Sequence, residues 1–375
     1  MLNESLTKCL GCGESSPLIS TSLPVCLNCI RTKLGEIEIH LRGSHRKSRR
    51  RFDLPPEPPT DEAGVKCNVC VNRCRISEGE RGFCGLRQNR DGAIDHLAGT
   101  KSKGMVSWYY DPLPTNCVAD WVCPGGGGVG YPDYSYARGA EYGFENLAVF
   151  YEACTFDCLF CQNWHFRESS PYGGLRSAKD LAKAVRDTTA CICYFGGDPT
   201  PQLDHAIEAS RLALEAAKDR ILRICWETNG GMHRSLLKQM AELSMTSGGC
   251  IKFDLKTFDE KLNLALCGVT NKRTLDNFRY LVELSKTRPV PPFLTASTLM
   301  IPGYIDGDEV FKIAEFIASL DRSIPYSLLA FHPTFEMHDL PRTSRAHAEQ
   351  CLRAAKQAGL LRVKIGNLHL LSEDY

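Results

Sequence analysis

From about residue 146 onward, short apolar runs alternate with segments of helical periodicity, and this alternation limits the possible folds more than any other feature. The strand-like runs are 147–153 (LAVFYEA), 190–196, 221–227, 250–255, 293–300 and 325–331, with a shorter one at 362–366. Helical segments are expected near 177–189, 202–218, 233–244, 274–286, 307–319 and 344–358. Strands that alternate with helices form parallel β/α units. Six such units fit an α/β fold of the partial (β/α)6, TIM-like barrel kind better than a doubly wound sheet. Polar residues at the carboxyl ends of the strands would then face the barrel mouth.

Cysteine is the outlier in composition. There are nineteen in 375 residues, many in short C-x-x-C clusters. The start, MLNESLTKCLGCGE, has no basic stretch followed by an apolar run, so no signal peptide is expected. Short spacings then favour metal coordination over disulfides, in a reducing cytoplasmic setting. The net charge of +1 creates no demand for a nucleic-acid or membrane partner. No apolar stretch has the length of a membrane span.

The cysteine clusters divide the chain. Residues 1–42 hold Cys9-x2-Cys12 and Cys26-x2-Cys29, the two knuckles of a small four-thiolate zinc-ribbon-like module, followed by an amphipathic helix. Residues 43–60 carry Arg46, Lys47, Arg49, Arg50 and Arg51 and then LPPEPPTDEAG, which reads as an exposed linker. A phosphate contact to RNA is the alternative use of that basic run. Residues 61–145 form a cysteine-rich accessory segment. Its Cys67, Cys70, Cys74 and Cys84 make a complete thiolate set, suited to zinc or to an auxiliary [4Fe-4S] cluster. Cys117 and Cys123, beside the run Pro124–Gly128, have no assigned role, and regular structure is not read there. Residues 146–375 form the core domain, in which Cys191, Cys193, Cys225, Cys250, Cys267 and Cys351 are expected to be core packing.

Cys154-x3-Cys158-x2-Cys161 directly follows the first strand of the series. A four-iron cluster normally takes four thiolates. Three from one loop leave an iron open, as chemistry at a metal requires. A zinc knuckle short of a ligand, or buried free thiols, are the alternatives on spacing alone.

The loop CTFDCLFCQNW, with Phe160 before the last cysteine, resembles the signature of the radical S-adenosylmethionine (SAM) superfamily. The resemblance implies that the open iron of a [4Fe-4S] cluster binds SAM. Reductive cleavage would then yield a 5′-deoxyadenosyl radical, with the electron supplied by a flavodoxin- or ferredoxin-like donor. Gly196-Gly197-Asp198-Pro199-Thr200 resembles the superfamily's GGEPT motif, with Asp198 in place of the usual Glu. The same resemblance places Phe160, Thr228, Asn229, Asp254, Lys256 and His332 around SAM, with Asp254 and Lys256 at its polar end and His332 at its nucleoside. The segment DLKTFDEKLNLALCGVTNKRTLDN, with FHP and IGN further on, is similar to activating enzymes of glycyl radical enzymes and to AmmeMemoRadiSam proteins. Hydrogen abstraction from a protein substrate is the implied activity. Radical modification of RNA or of a small metabolite, and a non-enzymatic metal scaffold, are the rival readings.

Overall fold

A computed structural model of the chain describes residues 6–115, 117–169 and 174–375. The first five residues, on which the signal-peptide reading partly rests, lie outside them. Eight strands form the main sheet: β1 (Val106–Pro112), β2 (Glu145–Tyr151), β3 (Thr189–Gly196), β4 (Arg223–Thr228), β5 (Ile251–Asp254), β6 (Leu294–Met300), β7 (Tyr326–Ala330) and β8 (Val363–Gly366). They lie side by side in sequence order. β2 to β8 are all parallel, and β1 is antiparallel to β2 at the edge. The seven parallel strands are the six expected plus the short carboxyl-terminal one. β1 arises from a stretch in which no strand was read.

Two amino-terminal helices, α1 (Leu27–Thr32) and α2 (Leu34–Arg50), precede the sheet. The crossovers carry α3 (Ala178–Lys183), α4 (Leu203–Ala216), α5 (Arg234–Ser247), α6 (Glu260–Cys267), α7 (Lys272–Ser285), α8 (Gly307–Leu320) and α9 (Arg345–Gln357). Sequence patterning missed only α6 among the crossover helices. Helix starts are set by side-chain caps, with Ser177, Asp259, Asp306 and Ser344 each accepting from a first-turn N–H. Strand side chains alternate between faces. Tyr194 points outward to Ser210 of α4, with oxygens 2.7 Å apart, and Phe253 meets Phe278 of α7. Cys191, Cys193 and Phe195 of β3 face inward, as do Arg223, Cys225 and Glu227 of β4.

The segment between β1 and β2 closes the inside of the sheet near the amino ends of its strands. Trp121 Nε1 donates to Ser327 Oγ (3.2 Å) and Lys364 Nζ reaches Asp120 (3.1 Å) on the β7–β8 side. On the β4 side, Arg223 forms a buried two-pronged pair with Glu141. The glycine run, where no regular structure was read, is a single helical turn over Pro124–Gly127 whose start is capped by the Cys123 sulfur. A Cβ at Gly126 would sit 1.9 Å from the Asp120 carbonyl oxygen, and Gly128 has a φ of +69° with the Arg138 backbone against it.

The amino-terminal module docks on this domain. Tyr304 Oη donates to the Leu23 carbonyl (2.9 Å), and Arg31 pairs with Asp306 (2.9 Å) and Glu309 (3.3 Å). Leu23, Val25, Ile30 and Ile37 are buried in the same apolar core as the barrel strands. Each such side chain contributes about 1.5–3 kcal/mol when removed from water.

The basic run departs from the linker expected at 43–60. Helix α2 continues to Arg50, and His45, Ser48 and Arg49 are buried. The reason is Asp157, a fully buried carboxylate inside the cysteine loop. Asp157 accepts from His45 Nδ1 (2.8 Å) and Arg167 (2.5 Å), with Arg49 at 3.5 Å. Arg49 also donates to the carbonyls of Pro55 and Phe83, and its guanidinium lies 3.5 Å over the Phe83 ring. Arg42 and Arg46 pair with Glu57, and Arg51 with Glu336. Arg46, Arg49 and Arg51 of the run are thus engaged within the fold, while Lys47 and Arg50 are exposed.

Burial alone would raise the Asp157 pKa, but Arg167, His45 and Arg49 hold it well below the ordinary carboxylate range. Its stabilising effect is complete above the unfolded value of about 4 and is lost as pH falls below that toward the folded value. Asp157→Asn leaves Arg49 and Arg167 buried without a counter-charge. The expected loss is about 3–5 kcal/mol in urea unfolding of the apoprotein at pH 7, shrinking as the pH is lowered.

Candidate active site

The cysteine loop leaves the end of β2 and is clamped from below by α6. Asp157 N–H donates to the Cys267 carbonyl (2.9 Å) and Leu159 N–H to that of Leu266 (3.0 Å). Asn72 Nδ2 holds the Thr155 carbonyl from the accessory segment (2.8 Å). Cys154, Cys158 and Cys161 thereby line one cavity of about 270 Å³ at the carboxyl ends of the strands. Burial pushes Cys154 well up and Cys161 up to about 11. Cys158 is pushed well up by the neighbouring Cys267 thiol and then by burial. Cys267, expected as plain core packing, also accepts the Asp157 N–H of the loop through its carbonyl.

Phe160, Gly196, Gly197, Asp198, Thr228, Asn229, Asp254 and Lys256 line the same cavity. They divide into two groups. Lys256 Nζ pairs with Asp254 Oδ2 (2.8 Å), and Ser297 Oγ donates to Asp254 Oδ1 (2.7 Å). Lys256 also sits 5.8 Å from the centre of the Phe160 ring. Burial would lower the Lys256 pKa, yet Asp254 and the Cys158 sulfur hold it raised, so the ammonium stays charged.

The second group ties strand ends together. Asp198 Oδ2 accepts from Thr228 Oγ1 (2.9 Å) and Asn229 N–H (2.7 Å), and Oδ1 from Thr200 N–H (2.7 Å). Asn229 Nδ2 donates to Thr155 Oγ1 (3.0 Å) and lies 3.7 Å from Cys154 Sγ. Burial raises the Asp198 pKa, and these donors oppose the rise. The shorter carboxylate thus spans β3 to β4 and reaches no further. Gly197 and Asp198 spend their N–H groups on the Tyr151 and Ala153 carbonyls. A Cβ at Gly197 would lie 2.2 Å from the Ala153 oxygen, so glycine there lets the two loops touch.

His332 does not join this group. It is exposed on the loop after β7 and does not line the cavity, while its neighbour Phe331 is buried in the core. Asn367, in the IGN element, lines the cavity instead. Its φ of +53° is a conformation that asparagine tolerates better than most residues.

The Radical SAM superfamily profile matches residues 148–317, which include the cysteine loop and the ends of β3 to β6. The chain carries a radical SAM domain. An uncharacterized protein of Methanocaldococcus jannaschii is 26% identical over 314 residues, covering 82% of this chain and 83% of that one. Pyruvate formate-lyase 1-activating enzyme of Escherichia coli K12 is 25% identical over 191 residues, 49% of this chain and 73% of that one. A putative glycyl-radical enzyme activating enzyme of M. jannaschii is 31% identical over 141 residues, 37% and 49% of the two chains. The radical SAM domain is enzymatic and uses a [4Fe-4S] cluster to cleave SAM to a radical.

The residues present fit these cofactors. Three soft thiols line the cavity from one loop, the donor type that iron–sulfur clusters take, while the loop's carboxylate, Asp157, is engaged by His45, Arg49 and Arg167 and does not line it. Arg167 Nε, at the edge of the cavity, is buried with no hydrogen-bond partner among the described residues. A sulfur-ligated anionic group in the cavity would supply its acceptor.

The amino-terminal cysteines make a different kind of site. The sulfurs of Cys9, Cys12, Cys26 and Cys29 all lie within 4.8 Å of one another, the one such group of metal-ligating side chains among the described residues. N–H groups of Gly11 and Cys26 point at Cys9 Sγ (3.4 and 3.3 Å). Two knuckles closing on one centre suit a tetrahedral zinc ion. Cys67, Cys70, Cys74 and Cys84 occupy a small segment in which Cys67 N–H bonds the Cys74 carbonyl. Burial raises Cys70 and pushes Cys74 up to about 12. Cys84 also lines a cavity shared with Cys154. Among the described residues, no helix is long and apolar enough to cross a membrane. Replacing Cys9 and Cys29 together by Ser is expected to remove one zinc per chain, in metal analysis of purified protein, and to leave iron content unchanged.

Proposed function

We propose that this radical SAM domain takes a hydrogen atom from a protein substrate, as an activating enzyme does, with its cluster held by Cys154, Cys158 and Cys161. The observation that carries the reading is the 25% identity over 191 residues to an enzyme named as activating pyruvate formate-lyase. When bound, the cluster and SAM supply a 5′-deoxyadenosyl radical, and the electron comes from a low-potential flavodoxin- or ferredoxin-like partner.

The chain's own residues bind and position. The charged Lys256 ammonium and Asp254, fixed by Ser297 and Lys256, would hold the polar end of SAM. Phe160 walls the cavity and limits water. Arg167 Nε would donate to a sulfur of the bound cluster. Asp198, Thr228 and Asn229 are positioning residues, locking the ends of β3 and β4 to the cysteine loop. Arg167 also anchors Asp157, so one guanidinium joins the loop's foundation to its cargo.

In anaerobically reconstituted, reduced protein, Cys158→Ala is expected to abolish 5′-deoxyadenosine formation. Lys256→Met is expected to raise KM for SAM about tenfold or more, the worth of one charge-assisted hydrogen bond, with iron content unchanged. With a candidate partner protein, a carbon-centred radical or a modified residue should appear only with SAM, reductant and an intact Cys158. If RNA or a small metabolite triggers turnover while no protein is altered, the protein-substrate reading is wrong.

A further inference from the structure

Below the cofactor cavity the inside of the sheet is not packed as barrels usually are. Barrel interiors are filled in layers, mostly by branched aliphatic side chains, and protein interiors leave few voids. Here the inward positions are Cys191 and Cys193 on β3, Cys225 on β4 and Cys250 just before β5. The segment that closes the inside adds Cys117 and Cys123. These six of the nineteen cysteines surround a single cavity of about 310 Å³. Glu227 and Phe195 line both this chamber and the cofactor cavity, so the two are neighbours. Read one at a time from the sequence, four of these thiols were core packing and two had no role.

The charges in the chamber are as unusual as its thiols. Lys252 of β5 is 2% exposed, and its Nζ lies 2.9 Å from Cys193 Sγ, 3.0 Å from Cys117 Sγ and 2.9 Å from Glu227 Oε1. A buried ammonium is costly unless anionic partners surround it. Two of its three partners are sulfurs. Cys225 and Cys250 pack with Cys117 in one small cluster. Cys193 sits directly across from Cys225 in the β3–β4 register. Cys117, Cys193, Cys225 and Cys250 thus come from four separate segments and converge on the chamber around a fixed positive charge.

We propose that this chamber is a second iron–sulfur site, ligated by Cys117, Cys193, Cys225 and Cys250, with Lys252 offsetting the charge of the sulfurs. Thiolates are the donors that such clusters take, and hydrogen bonds to their sulfurs tune the potential. A single ion is the poorer fit. The compact sulfur arrangement it needs is present at Cys9, Cys12, Cys26 and Cys29, whereas the chamber's thiols are spread round a cavity. Bridging sulfides let different thiolates bind different irons, which suits a dispersed set.

The test starts from full-length Cys154→Ala/Cys158→Ala/Cys161→Ala protein, reconstituted anaerobically with iron and sulfide. This variant should retain iron, acid-labile sulfide and an EPR signal on reduction. Adding Cys193→Ser and Cys225→Ser should abolish that signal with its iron and sulfide. Adding Cys70→Ser and Cys74→Ser instead should leave it in place. Absence of sulfide-linked iron in the triple variant overturns the proposal. So does iron that survives the Cys193 and Cys225 changes, or that is wholly lost with the Cys70 and Cys74 changes. Lys252→Gln, which keeps every thiol, gives an independent readout if the serine variants fail to fold. In otherwise wild-type protein it should move the second centre to a more negative potential and leave the first where it was. An unmoved second centre, or none, also overturns the proposal.

Discussion

The buried carboxylate of Asp157 is the constraint on which the rest of this structure hangs. It stands between Cys154 and Cys158, where the chain must keep an open loop at the end of β2. Side chains from two other places meet it: His45 and Arg49 of α2, and Arg167 after the loop. A buried carboxylate is tolerated only when its charge is met, and here that requirement recruits an amino-terminal helix into the barrel. Arg49 then binds the carbonyl of Phe83, beside Cys84, so the accessory segment is fastened by the same guanidinium. One acidic residue therefore holds three cysteine-bearing regions in register.

The core domain was readable because its signals are periodic and local. All seven parallel strands coincide closely with apolar runs in the sequence. Helix α6 was missed because it has only eight residues and joins closely to α7. The strand β1 was missed because Val106–Pro112 is half exposed at an edge, and its tyrosines and proline read equally well as loop. The basic run misled for a different reason. Adjacent arginines and a following proline stretch look solvated, and nothing nearby in sequence reveals the carboxylate of Asp157 more than a hundred residues downstream.

The site shows the same division. Lys256, Asp254, Thr228 and Asn229 reach the cavity because strand ends face a barrel mouth. His332 also follows a strand end, but Phe331 takes the inward position and turns the imidazole to solvent. Asp198 could be placed by motif, but its work could not. Its carboxylate is consumed by donors from the next strand, a long-range pairing with no local trace. The thiol-lined chamber was illegible for a related reason. A lone inward cysteine is ordinary, and only strand register and the segment beneath the sheet bring them together.

The clamp of the cysteine loop on the end of α6 fixes an order of assembly. Asp157 and Leu159 give their N–H groups to carbonyls of Leu266 and Cys267, a hundred residues away in the chain. That loop is clamped only after the chain has been made through α6, beyond four of the seven parallel strands. The amino-terminal knuckles need nothing so distant, since Cys9 and Cys29 are separated by a short stretch that closes on itself. Zinc can therefore organise the first residues early, while the cysteine loop is clamped for iron and sulfide only once α6 is in place. The two metals would enter this protein at different stages of its folding.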